Sequence, residues 1–543
     1  MKSFVNNPHN VVNEAIEGFL INEKLAVLDK FPEVRVVVRK DWDKSRVALI
    51  SGGGSGHEPT HAGFVGEGML TAAVCGDIFA SPTVDAVLSA ILAVTGEAGC
   101  LVIIKNYTGD RLNFGLAVEQ ARAMGYKVES VTVGDDIALC DDVQRRGVAG
   151  TLFVHKIAGY LASQGASLEE VATVAQKVVK NTQSIGLALT ECQMFNGAKP
   201  ARLTDDQAEL GLGIHGEPGA EVVAYTQADQ LMAMASDRLY DKLADKKSKY
   251  ALLLNNLGTV TPIEMSLLLN SFSKTRLAQN IDYVVGPGHF MTALNMSGFS
   301  LSLLKLDANI EKALLADVEP IAWHKAKKFV KPSTINSPKL PDVLQFAPSE
   351  NEKVRKLIEI VTSTFINIED SINALDAKVG DGDAGATFAA ASKTIQTLAD
   401  KLPYNNGEQL LSSIGRILSR EAGGSSGVLL SILFTAAAND FAVSNDYGKA
   451  LLAGLKQMQV YGGAKKGSRT MIDALEPAFE ALANNKSLTE AANEARKGAD
   501  ETARITKTLF GRSSYVPEDS LRGVSDPGAE AMARVFEAIS KQY

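Results

Sequence analysis

A multidomain chain, α/β in its N-terminal part and all-α in its C-terminal part, is what this sequence predicts. Three observations carry that reading. Up to about residue 330, short apolar runs end in glycine-rich turns and alternate with helical patterns. Residues 331–350, KPSTINSPKLPDVLQFAPSE, hold four prolines and no periodicity, which marks a linker. Beyond 350, apolar residues recur at steps of three and four and strand-like runs nearly vanish.

Taken in order, the first part offers buried strands at RVALISGGG (46–54), CLVIIKNYTGD (100–110), KVESVTVGDD (127–136), YALLLNNLG (250–258), DYVVGPG (282–288) and FSLSLLKLD (299–307). A helix is expected between them at VDAVLSAILAVTGEAG (84–99). Strand ends that open into glycine turns are where α/β sheets bind ligands. In the second part, residues 351–377 place Val354, Leu357, Ile358, Val361, Phe365, Ile368, Ile372 and Leu375 on one helical face. Further amphipathic stretches at 386–402, 408–420, 427–442, 447–460, 470–484, 488–508 and 528–541 bring the expected helices to about eight.

The bulk numbers narrow the function. With 543 residues, 45% of them hydrophobic and 22% charged, the chain is long enough for two to four self-sufficient cores. A net charge of −8 argues against a nucleic-acid footprint, which needs a basic stripe. The four cysteines are scattered, with no C-x-x-C pair, so a reducing compartment is expected. The N-terminus lacks the pattern of a signal peptide, and no uninterrupted apolar run reaches membrane-spanning length. A cytoplasmic protein without a membrane partner is the expectation.

Residues 51–64, SGGGSGHEPTHAGF, match the zinc-protease pattern H-E-x-x-H. That pattern needs both histidines on one helical face, and Pro59 stands between His57 and His61. A helix starting near Pro59 would leave His57 in the loop before it. The dinucleotide fingerprint fails as well, because His57 stands where its third glycine belongs. What remains is a glycine loop that admits a ligand to main-chain N–H groups, or a tight turn with a hydrogen-bonded histidine. HGEPG (215–219) echoes the loop, again with a histidine near Glu-Pro after glycines. GGSSG (423–427) follows a helical pattern rather than the strand a nucleophile elbow requires, and GGAKKGS (462–468) has its lysine on the wrong side of the glycine for a P-loop.

ALDAKVGDGDAGATF (374–388) crowds Asp376, Asp381 and Asp383 into one helix–helix turn. Such carboxylates repel unless a hard cation neutralises them, and an all-oxygen set with open positions suits magnesium. The EF-hand alternative fails, since its sixth and twelfth positions would be Ala386 and Ser392. A metal site and a plain Asp/Gly-rich turn both stay open on the residues alone.

Together these stretches resemble the single-chain, ATP-dependent dihydroxyacetone (glycerone) kinases and triokinases. The resemblance rests on SGGGSGHEPTHAGFVGEGML (51–70), KNYTGDRLNFGLA (105–117), ELGLGIHGEPG (209–219), DAKVGDGDAGATF (376–388), GGSSGVL (423–429), GGAKKGSRTMIDAL (462–475) and GRSSYVPEDSLRGVSDPGA (511–529). It implies an α/β triose-binding domain at 1–330 with subdomains near 1–183 and 184–330, and an eight-helix nucleotide-binding barrel at 351–543. It implies that His215 captures the triose carbonyl as a hemiaminal, and that Gly54, Lys105 and Asp110 bind the captured triose. Asp110 would also act as general base, with His57 as a second acid/base group. Asp376, Asp381 and Asp383 match the magnesium ligands, and the resemblance implies a pair of Mg²⁺ ions with Mn²⁺ as a substitute. Gly385, Ala386, Thr387, Ser425, Ser426, Gly462, Met471, Arg512, Asp526, Pro527 and Gly528 match positions lining the nucleotide. Ala384 and Ser468 depart from residues common at those positions in relatives.

The implied reaction phosphorylates dihydroxyacetone, and glyceraldehyde as a second substrate, at the expense of ATP. A homodimer is the implied assembly, with the linker permitting one domain to dock on the other. Two alternatives accompany it: a lyase activity that cleaves FAD to cyclic FMN at the same aspartates with Mn²⁺, and a non-catalytic triose-sensing regulator. The presence of His57, Asp110 and all three aspartates disfavours the sensor, and fusion of the two halves favours free ATP as phosphate donor.

Overall fold

The computed structural model describes residues 3–21, 24–139, 144–195, 202–421 and 424–543. The chain divides into two compact units, Met1–Thr334 and Ile335–Tyr543.

In the first unit, β1 (Leu25–Val27), β2 (Val36–Arg39), β3 (Ala48–Ser55), β4 (Ala72–Ile78), β5 (Cys100–Lys105) and β6 (Val128–Val133) form one sheet in the order β1-β2-β4-β3-β5-β6. β3 runs parallel to β4 on one side and to β5 on the other. Every residue of β3 and β5 is buried, which is why both read as continuous apolar runs rather than alternating ones. Helices α1 (Val11–Phe19), α2 (Val84–Val94), α3 (Thr108–Ala123), α4 (Thr151–Ser163) and α5 (Leu168–Lys180) belong to this part. The chain passes from β4 through α2 to β5, crossing β3. The carboxyl end of β3 therefore lies where the strand order reverses, the place where open α/β sheets form a binding crevice. The helix expected over 84–99 stops at Val94, because Thr95 turns extended ahead of Gly96 and Gly99.

A second sheet has β7 (Thr182–Ala188), β8 (Gln207–Leu210), β9 (Glu221–Ala224), β10 (Tyr250–Asn256), β11 (Ile281–Gly288), β12 (Gly298–Lys305) and β13 (Lys327–Lys328) in the order β13-β11-β10-β12-β7-β8-β9. Only β10 and β11 pair in parallel; the remaining neighbours are antiparallel. Helices α6 (Ala228–Lys242), α7 (Pro262–Ser273) and α8 (Ala308–Leu315) complete the unit. β8 and β9 are antiparallel partners with Leu210 opposite Glu221, so residues 211–220 form the loop between them. Sequence periodicity misses β9 because the strand is an exposed edge with no core face to pattern it.

The second unit is all-helical: α9 (Glu352–Asn367), α10 (Glu369–Asp376), α11 (Ala384–Thr397), α12 (Gly407–Glu421), α13 (Gly424–Ser444), α14 (Tyr447–Gly462), α15 (Ile472–Ala483), α16 (Leu488–Thr502), α17 (Glu518–Leu521) and α18 (Pro527–Gln542). Eight of these have at least twelve residues. The single helix expected over 351–377 is broken at Ile368, whose ψ of 3° takes it out of helical geometry. Leu357, Phe388, Leu433, Phe479 and Phe536 are among the side chains lining an apolar cavity of about 390 Å³. Residues Ser425–Ser444 of α13 have the length and composition of a membrane span, with a mean hydropathy of 1.5. The sequence pattern gives this stretch as an amphipathic helix over 427–442, because Ser431, Asn439 and Asp440 interrupt its apolar run. Its Leu430, Leu433 and Phe434 face the internal cavity.

Candidate active site

The glycines at the end of β3 are explained by what approaches them. Gly53 has φ +151°, and a Cβ there would lie 2.5 Å from Lys105 Nζ and 3.5 Å from Asp110 Oδ2. A Cβ on Gly54 would fall within 2.9 Å of the backbone of Phe79. Lys105 ends β5 and Asp110 lies in the first turn of α3, so two neighbouring elements deliver a cation and an anion to the same glycine. Lys105 is fully buried and its ammonium has no hydrogen-bond partner. Burial pushes its pKa down, opposed by the charges of Asp110 and Glu58. Ser81 Oγ donates to Asp110 Oδ1 at 2.5 Å.

The HEPTH segment forms turns and a single 3-10 turn, Ala62–Phe64, instead of the helix expected near Pro59. It is stitched to the segment between β11 and β12. Thr292 N donates to His57 O at 3.2 Å, Leu294 N to Gly56 O at 2.8 Å, and Thr60 Oγ1 to Phe290 O at 2.6 Å. His57 Nδ1 lies 2.7 Å from the carbonyl of Thr292. A carbonyl only accepts, so Nδ1 carries the hydrogen and the Nε2 lone pair is bare. Nε2 is buried without a partner. Burial first, then the charges of Lys105 and His215, hold His57 well below the ordinary imidazole range, so the ring is neutral.

His215, on the β8–β9 loop, meets His57 edge-on with ring centroids 4.9 Å apart. The two His-Glu-Pro echoes in the sequence thus converge in space. Tyr107 and Phe79 flank the His215 ring at 4.6 and 5.4 Å. His215 also borders a cleft lined by Cys192, Gln193, Thr204 and Tyr225. His61 turns away from this group and pairs with His155 of α4 at 5.3 Å. Both rings are buried with no partner for either nitrogen, and burial depresses His155 to about 3.

In the helical unit, Asp376, Asp381 and Asp383 each present an oxygen within 4.8 Å of the others. Asp376, at the end of α10, is buried, and its Oδ2 accepts from the amides of Gly382, Asp383 and Ala384 at 3.0, 3.0 and 3.2 Å. That bonding wraps the loop around the carboxylate and brings the other two aspartates to it. Gly382 sits at φ +81°, the left-handed turn the wrap requires. The donor set is all carboxylate oxygen, which fits a hard divalent cation such as magnesium.

α11 begins at Ala384, two residues earlier than expected. The amide of Ala386 is engaged by Asn373 Oδ1 at 3.0 Å and that of Thr387 by Asp383 O, also at 3.0 Å; Gly385 is buried against Glu369. Ser425 and Ser426 lie in the first turn of α13, and Gly462 closes α14. Met471, Asp526 and Gly528 are brought together: a Cβ on Gly528 would lie 3.2 Å from Asp526 Oδ1 and 3.3 Å from Met471 Cβ. Asp526 caps α18, accepting from Ala529 N at 2.8 Å, and Pro527 is the helix's first residue. Arg512 opens a short 3-10 turn, but its side chain lies outside the described residues.

Several residues escaped sequence reasoning. Arg469 is 1% exposed, donates to Ser513 Oγ and Val524 O at 2.7 and 2.9 Å, and so ties down the segment before α18. Tyr107, Phe79 and Glu217 surround His215; the first and last already stood inside quoted motifs, and only their partners were invisible.

Residues 18–322 match the Dak1 domain and residues 378–541 the DAK2 domain. The chain is 48% identical to a dihydroxyacetone kinase of Citrobacter freundii, over 99% of both chains. It is 37% identical to a triokinase/FMN cyclase of Rattus norvegicus, covering 99% of this chain and 98% of that one. The crystal structure of the C. freundii kinase in complex with AMP-PNP and Mg²⁺ superposes with a TM-score of 0.90 at 46% identity, over 100% of both chains.

Proposed function

The chain belongs to the dihydroxyacetone kinase family and is a kinase of that family, and from that premise we propose that it transfers the γ-phosphate of ATP to dihydroxyacetone, and to glyceraldehyde, with dihydroxyacetone held covalently on His215. One observation carries the covalent step: His215 stands in van der Waals range of a neutral His57, beside a cleft, with its Nδ1 engaged by Glu217 at 3.1 Å. Its Nε2 lone pair adds to the carbonyl carbon, and the carbonyl π pair moves to oxygen. That oxygen gains a proton while the ring gives up the one on Nδ1, so the balance closes. Lys105, buried and without a hydrogen-bond partner, supplies a donor for the captured triose. Asp110, steadied by Ser81, accepts the proton of the hydroxyl that attacks phosphorus. The bare Nε2 of His57 suits it to accept a hydrogen bond from a triose hydroxyl.

Asp376, Asp381 and Asp383 would hold magnesium with the nucleotide, and the bound cation supplies charge neutralisation for phosphoryl transfer. The residues near Met471, Asp526 and Gly528, with Ser425, Ser426, Gly462 and Arg512, complete the nucleotide side of this reading. Cys75 and Cys100 are free thiols, in keeping with the reducing, cytoplasmic setting proposed for the chain. A homodimer, implied by the family resemblance, is the assembly to check by sedimentation.

A coupled ADP-release assay tests the proposal. Dihydroxyacetone and glyceraldehyde should turn over, and glycerol, which has no carbonyl to capture, should be slower by at least about 100-fold. Equal rates with glycerol would remove carbonyl capture from the mechanism. The rat relative is named a triokinase/FMN cyclase, and the second activity we infer is the one the family resemblance implies, cleavage of FAD to cyclic FMN at the same aspartates. Incubation with FAD and Mn²⁺ decides it: formation of cyclic FMN that Asp381→Ala abolishes supports the lyase, and no cyclic FMN excludes it.

A further inference from the structure

His215 is held by a carboxylate two residues along its own turn. Glu217 Oε1 lies 3.1 Å from Nδ1, and Oε2 accepts the backbone N–H of His215 at 3.0 Å. A carboxylate only accepts, so the neutral ring must carry its hydrogen on Nδ1. Free imidazole in water has both tautomers within reach; this contact selects one and leaves Nε2 bare.

The turn leaves room for the carboxylate. A Cβ on Gly213 would lie 2.0 Å from Glu217 Oε2 and 2.7 Å from Arg146 Nη1, so a missing side chain makes room for the anion beside the guanidinium. Arg146 donates through Nε to Asp136 Oδ2 at 2.8 Å and through Nη2 to the carbonyl of Gly211 at 2.7 Å. Gly213 N donates to Glu217 O at 3.0 Å, closing the turn. The Tyr107 ring, 4.6 Å from His215, packs edge-on against the imidazole. Burial pushes Glu217 up, but its hydrogen bond with His215 pulls the carboxyl down, so it remains an anion.

We propose that Glu217 is a positioning residue for His215: it selects the Nδ1–H tautomer and balances the positive charge that builds on the ring as Nε2 bonds to the carbonyl carbon. This rests on the His215 capture described above. In the step itself, the Nε2–C bond forms and the C=O π bond breaks. The Nδ1 proton leaves the ring along the Glu217 contact, and the new oxyanion gains one, with no external oxidant or reductant.

The test uses the full chain labelled with [¹⁵N]histidine, with Glu217→Ala and Glu217→Gln variants and His215→Asn to assign the signal. Without triose, wild type should show His215 ring shifts of the Nδ1–H tautomer. Glu217→Ala should move toward the Nε2–H form common in water, and its His215 adduct with dihydroxyacetone, read by soaking or intact mass, should fall at least tenfold. Glu217→Gln keeps an acceptor oxygen but no charge; it should retain the tautomer and lose adduct to an intermediate extent. Wild-type ring shifts in Glu217→Ala, or adduct within twofold of wild type, would overturn the proposal. Should Glu217→Ala fail to fold, the near-isosteric Glu217→Gln carries the test, and adduct within twofold of wild type again overturns it. If wild type itself forms no adduct that His215→Asn removes, the capture reading fails, while the ring shifts still judge the tautomer assignment separately.

Discussion

Asp381 and Asp383 are exposed, whereas Asp376 is buried and spends one oxygen on three backbone amides. The roles therefore divide: Asp376 shapes the loop, and Asp381 and Asp383 carry the exposed carboxylates of the cluster. Asp381→Ala should lower ATP-dependent transfer by about 100-fold or more, the scale set by losing one charge-stabilising contact, while the His215 adduct survives. An ADP-release assay beside intact-mass analysis checks both halves; loss of the adduct would contradict the division.

Asp135 is a different residue-scale case. It is buried, accepts from Val148 N, Gly150 N and Ser184 Oγ, and burial raises its pKa from 3.8 to about 6. With the folded value above the unfolded one, its contribution is fully present below about pH 4 and is lost as pH rises through about 6. The stability difference between wild type and Asp135→Asn should shrink by about 3 kcal/mol from pH 4 to pH 7. Urea denaturation at several pH values measures it, and a constant difference would mean an unshifted carboxyl.

At the level of elements, α16 packs on α15 through a glycine. A Cβ on Gly498 would sit 1.9 Å from the carbonyl of Asp473, whose carboxylate accepts from Gly467 N and Thr470 N at 2.6 and 2.8 Å. Gly498→Ala must move α16 off that carbonyl and disturb the turn leading to Met471. The expected cost is about 1–3 kcal/mol, together with a higher KM for ATP and an unchanged KM for dihydroxyacetone. A melting curve and the two KM values test it; wild-type stability would show that the helices slide apart freely. Elements also mark where pattern reading worked. The 3.6-residue period found the long helices because each has one face on a core, and missed the break at Ile368 because apolar spacing continues through it.

For the whole molecule, the proposal of one ligand site in each compact unit predicts separable signals. Dihydroxyacetone and Mg²⁺ with a non-hydrolysable ATP analogue should each raise the unfolding temperature, by the equivalent of about 2.7 kcal/mol at a hundred times Kd. His215→Ala should cancel only the triose shift, and Asp381→Ala only the nucleotide shift. If either substitution cancels both, the assignment of one ligand to each unit is wrong.

The order of motifs along the chain was enough to indicate the α/β and helical parts, the aspartate loop, the histidine loops and the family, because glycine turns, apolar periods and clustered carboxylates are local chemistry. Folding alone decided which of those pieces touch. His57 and His215 are 158 positions apart and meet at 4.9 Å only because the strand order reverses at β3 and the β8–β9 loop returns to it. His57 and His61, four apart, end with different partners. Which imidazole nitrogen bears the proton is set by Thr292 for one ring and Glu217 for the other. No local pattern encodes the Thr292 contact, because a hydrogen bond between distant segments depends on how whole elements pack.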